Sequence, residues 1–170
     1  MTQEIKNPQI FSGLILLTSE DKAGLADSLF EALSPFAVSV IDIDQIIIKG
    51  RLFLTLQISL NPDHQEAIEE DMTQLAEQLQ VDIACIFSTS EIPQDRENLV
   101  VTISANKMLP RYMRTVTQAL VSAGANIESF NRKSTTPMVI DIHVSGAQLL
   151  DLKKSLSDST LESALAITVA

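Results

Sequence analysis

Two hydrophobic spacings alternate along the chain, and their order predicts its elements. Residues 11–17 form a short apolar run with one glycine, the length of a strand rather than a helix. The run ends in the polar turn Thr18-Ser19-Glu20-Asp21-Lys22-Ala23-Gly24. Leu25, Leu29 and Leu33, supported by Ala26 and Phe30, then recur at helical spacing. Ser34-Pro35 stops that helix, because proline disfavours helix in the residue before it. Residues 38–48 are rich in β-branched side chains, and Lys49-Gly50 is a turn of the kind that closes a hairpin. The return strand is the clearest element: Leu52, Leu54, Leu56, Ile58 and Leu60 alternate with Phe53, Thr55, Gln57 and Ser59. Asn61-Pro62-Asp63 supplies cap chemistry for a helix with Ile68, Met72, Leu75 and Leu79 on one stripe. Residues 81–87 are a further strand.

The polar stretch Glu91-Ile92-Pro93-Gln94-Asp95-Arg96-Glu97-Asn98 breaks the periodicity and reads as a linker. The pattern then restarts. Residues 99–104 are a strand, Met113, Val116 and Leu120 a helix stripe, and Ala123-Gly124 a glycine stop. Strands over 125–130 and 138–144, a helix stripe of Leu149, Leu152 and Leu156, and a strand over 164–170 complete it. A shift of 87 residues superposes Leu25 on Tyr112, Leu29 on Val116, Leu33 on Leu120 and Val40 on Ile127. Matched order and matched stripes imply two copies of one module. The fold class is α+β: two ferredoxin-like βαββαβ modules, each an antiparallel sheet with two helices on one face. The expected boundaries are 8–90 and 98–170, joined by a linker over 91–97.

Charge changes the picture of what such a chain can touch. The net charge of -10 argues against nucleic acid and anionic membranes, which need a basic patch. The imbalance is local: residues 1–90 hold 4 Lys/Arg against 14 Asp/Glu, residues 91–170 hold 8 of each. Two units with different surfaces, one carrying a solvated acidic helix around 66–71, account for it. No apolar run approaches the roughly 18 residues of a membrane span, and Met1-Thr2-Gln3-Glu4 opens no secretory signal. The single Cys85 excludes an internal disulfide and fits a reducing compartment, so the expected location is the cytoplasm.

Candidate chemistry is sparse. Five scattered glycines form no phosphate-cradling loop, and His64 and His143 lie on different repeats, so no cofactor or metal is expected. Asp42-Ile43-Asp44 has the spacing of a phosphatase aspartate pair, but Gln45-Ile46-Ile47-Ile48 continues the strand where a catalytic loop would have to begin. Asp141, His143 and Ser145 share one strand face, and residues in line do not converge as a triad must. Cys85, in the run 83–87, lacks a basic neighbour and reads as core. The remaining feature is Asp21-Lys22-Ala23-Gly24. A glycine there admits a ligand close to the backbone, and free N–H groups at the helix start favour a carboxylate. The competing reading makes Asp21 the helix cap or a near-cap.

This turn, followed by Leu29-Phe30-Glu31-Ala32-Leu33, resembles the start of an ACT domain, a small-molecule regulatory module with D-x-P-G at that place. The stretch through Asp44-Gln45-Ile46-Ile47-Ile48-Lys49-Gly50-Arg51-Leu52 is similar to the paired amino-terminal ACT domains of actinobacterial-type phosphoserine phosphatases. The resemblance covers the whole chain in element order and residues 18–60 with specificity. It implies a regulatory pair that binds L-serine as feedback ligand, helps build a homodimer and precedes a haloacid-dehalogenase-type catalytic domain absent here. Carried over by position, the ligand loop is Asp21, Lys22, Ala23, Gly24 and Leu25. The opposing strand gives Ser39, or Asn126 from the other repeat. Ala23 replaces the usual proline, which loosens the loop. The second repeat reads Asn106-Lys107-Met108-Leu109-Pro110, with neither aspartate nor glycine, and is expected to act as scaffold or opposing wall.

The sequence thus points to an amino-acid-binding module without chemistry of its own. The alternative is a stand-alone tandem ACT regulator resembling the glycine-cleavage-system transcriptional repressor, acting by protein–protein contact. A small ferredoxin-like enzyme is disfavoured by two histidines and no convergent acid/base pair.

Overall fold

The computed structural model describes residues 9–91, 98–160 and 165–170, and the chain divides into two compact units, residues 1–93 and 94–170. The first unit runs β1 (Gln9–Glu20), α1 (Leu25–Leu33), β2 (Ser39–Ile48), β3 (Arg51–Ser59), α2 (Gln65–Leu79) and β4 (Asp82–Glu91). The second runs β5 (Asn98–Ala105), α3 (Pro110–Ser122), β6 (Asn126–Thr135), β7 (Met138–Ser145), α4 (Leu149–Thr160) and β8 (Ala166–Val169). Each unit is one four-stranded antiparallel sheet, ordered β2-β3-β1-β4 and β6-β7-β5-β8. Both are ferredoxin-like βαββαβ modules, the fold class read from the periodicity.

The alternation in β1 and β3 decides which sheet face is covered. Ile15 stands opposite Leu56 and Leu17 opposite Leu54, and all four are at most 1% exposed. They pack with Leu29 and Leu33 of α1 and Ile68 and Met72 of α2 in one core. Burying each such side chain contributes about 1.5–3 kcal/mol. Val101, Ile103, Ile142 and Val144 do the same under Val116, Leu120, Leu152 and Leu156 in the second unit.

The hairpin joining β2 and β3 has positive φ at both Lys49 (49°) and Gly50 (75°), the two-residue turn whose twist matches that of its strands. The proline-led segment before α2 differs from expectation: Pro62–His64 is a short 3-10 turn, and the helix proper starts at Gln65. Asn61 caps the 3-10 turn, its side-chain oxygen accepting the Asp63 N–H at 3.1 Å, while α2 itself starts after His64 without a side-chain cap. Glu91 stands opposite Gln9 in the β1–β4 ladder, so it ends β4 and does not open a linker. Residues 92–97 of the expected linker, and Ala164 of the expected last strand, lie outside the described residues.

β2 and β6 are the leading edge strands of their sheets, and each breaks its ladder at one corresponding point. The register shifts between Val40 and Asp42 in β2 and between Ile127 and Ser129 in β6. All of β2 is exposed, including Ile43 (47%) and Ile46 (52%).

Candidate functional site

The loop after β1 is anchored at both ends. The Asp21 N–H donates to the carbonyl oxygen of Gly50 at 2.8 Å, which ties the loop to the β2–β3 hairpin turn. At its other end Leu25 is 4% exposed and belongs to the core. Between them Asp21, Lys22, Ala23 and Gly24 are exposed. Gly24 is the N-cap of α1, with φ 91° and ψ -4°, and its carbonyl accepts the Ser28 N–H at 2.9 Å. Asp21 therefore does not cap the helix; the positive φ required at the cap goes to the residue that bears it without a Cβ penalty. Having no side chain, Gly24 leaves the first-turn N–H groups of α1 without a side-chain cap. The corresponding turn of the second unit is built differently, with Leu109 as an extended N-cap (φ -101°) and Pro110 opening α3.

Ser39 lies at the far end of the same sheet. It pairs with Ser59, which pairs with Ser12, whereas the loop follows Glu20 opposite Arg51. The eight ladder steps from Ser12 to Glu20 span about 26 Å at roughly 3.3 Å each. The structure thus groups Asp21, Lys22, Ala23, Gly24 and Leu25, and keeps Ser39 away from them within its own unit. Asn126 occupies in the second unit the position that Ser39 occupies in the first, opposite Ser145 at the start of β6. Its Nδ2 donates to Oε1 of Glu128 at 2.8 Å, and Ser145 Oγ donates to that same oxygen. The sequence reading missed Glu128, because its place depends on the bulge and on cross-strand neighbours; its only signal was the offset of two from Asn126.

The other polar candidates are structural. Asp42 lies within β2, where Oδ1 accepts the N–H of Ile43 at 2.8 Å. Asp141 accepts from Thr102 Oγ1 at 2.7 Å and pairs with Lys133 Nζ at 3.3 Å, while Ser145 turns to Glu128. The line Asp141, His143 and Ser145 therefore forms no triad. Desolvation pushes the Cys85 thiol up to about 11, with Glu69 adding to it, which keeps it protonated at neutral pH. Among the described residues, no group of three or more His, Cys, Asp or Glu could hold a metal, and no helix is long and apolar enough to cross a membrane.

Thr102 holds the Asp141 carboxyl below its ordinary pKa, with Lys133 and His143 acting in the same direction. A depressed carboxylate adds stability above its unfolded pKa, and that stability is lost as pH falls through the folded value. Thr102→Val is expected to move the Asp141 midpoint up toward the ordinary carboxylate range, read by carboxyl-carbon NMR titration. An unchanged midpoint would show that the hydroxyl does not hold it.

The strand order and the two helices of each unit place both among ferredoxin-like modules. Residues 14–85 match the family model for the ACT domain. The matched residues lie within the first unit, and the second unit repeats its fold. A phosphoserine phosphatase of Streptomyces coelicolor is 23% identical over 160 residues, 92% of this chain and 38% of that protein. Phosphoserine phosphatase SerB2 of Mycobacterium tuberculosis is 26% identical over 143 residues, 81% of this chain and 35% of that protein. The chain thus spans little more than a third of these relatives. Two crystal structures share the fold nearly end to end. One, of an unknown protein from Galdieria sulphuraria, has TM-score 0.73 at 16% identity, covering 95% of this chain and 98% of that one. The other, of a candidate glycine cleavage system transcriptional repressor, has TM-score 0.77 at 14% identity, covering 94% and 96%.

Proposed function

We propose that this chain is the amino-acid-sensing and dimerising regulatory module of a phosphoserine phosphatase, with L-serine as its effector and no chemistry of its own. The observation that carries this is the ACT match over residues 14–85 together with two phosphoserine phosphatases that align along 92% and 81% of the chain. Serine is the product such an enzyme releases, so a serine sensor attached to it gives feedback. The loop Asp21 to Leu25 supplies helix-start N–H groups for the α-carboxylate. Ser39 or Asn126 faces it from a second module. The separation of Ser39 from its own loop supports that arrangement, because antiparallel pairing of two edge strands sets the start of one beside the end of the other. The long apolar edge of β2 supports a homodimer, since pairing would cover its unpaired backbone groups. The effector acts by binding one arrangement of modules better than another.

A thermal-shift panel of the twenty amino acids at millimolar concentration tests this. L-Serine at a hundredfold excess over its Kd adds about 2.7 kcal/mol by mass action. The expected result is a rise with serine, alone or with glycine. A flat panel would overturn the serine-sensor reading. The rival, a free-standing regulator acting by protein–protein contact, has no observation in its favour beyond a shared fold.

A further inference from the structure

The sheet of the first unit has two faces, and its helices cover only one. Ile15, Leu17, Leu54 and Leu56 pack into the core, so the side chains that alternate with them point the other way. On that open face the register sets Leu14 beside Ile86 and Leu16 beside Ala84, and sets Ile46 beside Phe53 and Ile48 beside Arg51. Leu14, Leu16, Ile46, Ile48, Phe53 and Ile86 are 36–55% exposed. They make a diagonal band from the end of β2, across β3 and β1, to β4. Asp42 and Asp44 flank the band at one corner, and the exposed Arg51–Asp82 pair flanks it at the other. A contiguous apolar centre inside a polar rim is the anatomy of a protein interface.

The open face of the second unit is built otherwise. Its register lines up Asn131, Asp141, Thr102 and Thr168 in one row, with Ser129 and His143 in the next. Thr102 and Lys133 already engage Asp141 there. Such a polar face does not match an apolar band, whereas another first unit does. A twofold axis along the band lays it on its own copy, an isologous contact that closes at two. The size suffices as well. Four strands about 4.8 Å apart and nine residues long, at about 3.3 Å each, give a face of roughly 570 Å2. Two such faces cover about 1,100 Å2, above the ~1,000 Å2 expected of a specific interface.

We propose that the open sheet faces of two first units, from two copies of the chain, pack on each other around Leu14, Leu16, Phe53 and Ile86. This goes beyond the pairing of edge strands. Edge pairing covers the backbone groups of β2 and leaves the band on β1 and β4, beyond β3, exposed. Face and edge contacts together make a tetramer; either alone makes a dimer.

The test is the mass of the full chain by light scattering on size-exclusion fractions. Phe53→Lys and the uncharged Ile86→Ser disrupt the face, Ile86→Val is the conservative control, and Ile43→Lys charges the edge. Phe53 and Ile86 lie on the uncovered side of the sheet, so far-ultraviolet dichroism should match wild type; two face variants keep the test open should one misfold. The expected result is half the wild-type mass for each face variant, with the association Kd raised about tenfold or more. Ile86→Val should keep the full mass. The first units are acidic, so added salt should tighten the contact by screening their repulsion. Folded face variants of unchanged mass would overturn the face contact, and a loss of mass in Ile43→Lys alone would then leave the edge dimer standing. A mass that falls with added salt would mean a contact held by charge and would overturn the apolar one. A monomeric wild type would overturn the face contact and the edge dimer together.

Discussion

Gly24→Val is expected to abolish the thermal response to L-serine and to lower the melting temperature of the unliganded chain. The sequence alone gives one reason, that a branched side chain would obstruct a ligand approaching the backbone. The structure adds another and removes a third. A Cβ built at Gly24 meets nothing within 4 Å, so valine clashes with no protein atom. Its cost arises in the backbone, because φ 91° lies where β-branched residues are strained by about 1–3 kcal/mol. For a unit of this size each kcal/mol is worth roughly 4–8 °C. Gly24→Asn separates the two effects, since asparagine tolerates left-handed backbone better than valine does. If the loop holds the carboxylate, asparagine keeps much of the stability and still weakens binding, because its side chain occupies the approach. Normal serine binding by the valine variant would move the ligand away from this loop.

The pair of modules was readable from periodicity because each buried stripe has a period of its own. Leu52 to Leu60 alternate as only a half-buried strand does, and Leu25, Leu29 and Leu33 repeat as only one helix face does. Features set by register were not readable. Nothing in the order of residues 38–48 says that Ile41 leaves the ladder, because a bulge is a property of two strands together. For the same reason nothing in the sequence marks Asp141 as a covered carboxylate. Its side chain is 14% exposed because pairing places Thr102 directly across from it, and a second bulge between Arg132 and Ser134 frees Lys133, which reaches it from the other side. The ligand loop was half legible. Its glycine was evident, but the helix cap fell to Gly24 rather than Asp21, whose N–H the hairpin turn occupies. The distance of Ser39 from the loop within its own unit was not legible, because its closeness in sequence to α1 hides the length of β1, which carries the loop to the opposite end of the sheet.

Gly13→Val is the second large expected effect, and it has the opposite physical origin from that at Gly24. Gly13 lies on the covered face of β1 with Ile15 and Leu17, opposite Ile58 on one side and Phe87 on the other. A Cβ there would stand 2.6 Å from Cε1 and 2.9 Å from Cδ1 of the Phe87 ring. That ring also stacks on Phe11 at 6.3 Å between centroids, so it fills the space a side chain at 13 would need. Strand propensity alone favours valine over glycine. Packing should win, because forcing a branched side chain into a filled core costs about 1–3 kcal/mol. The prediction is a loss of stability in chemical denaturation, with the near-ultraviolet signal of the Phe11–Phe87 stack altered. Phe87→Ala opens the space, so the double variant should be less destabilised than the sum of the two single changes, a favourable coupling within the reported range of about 0.5–3 kcal/mol. A valine variant more stable than wild type, or a strictly additive pair, would mean that the glycine is not there to admit the ring.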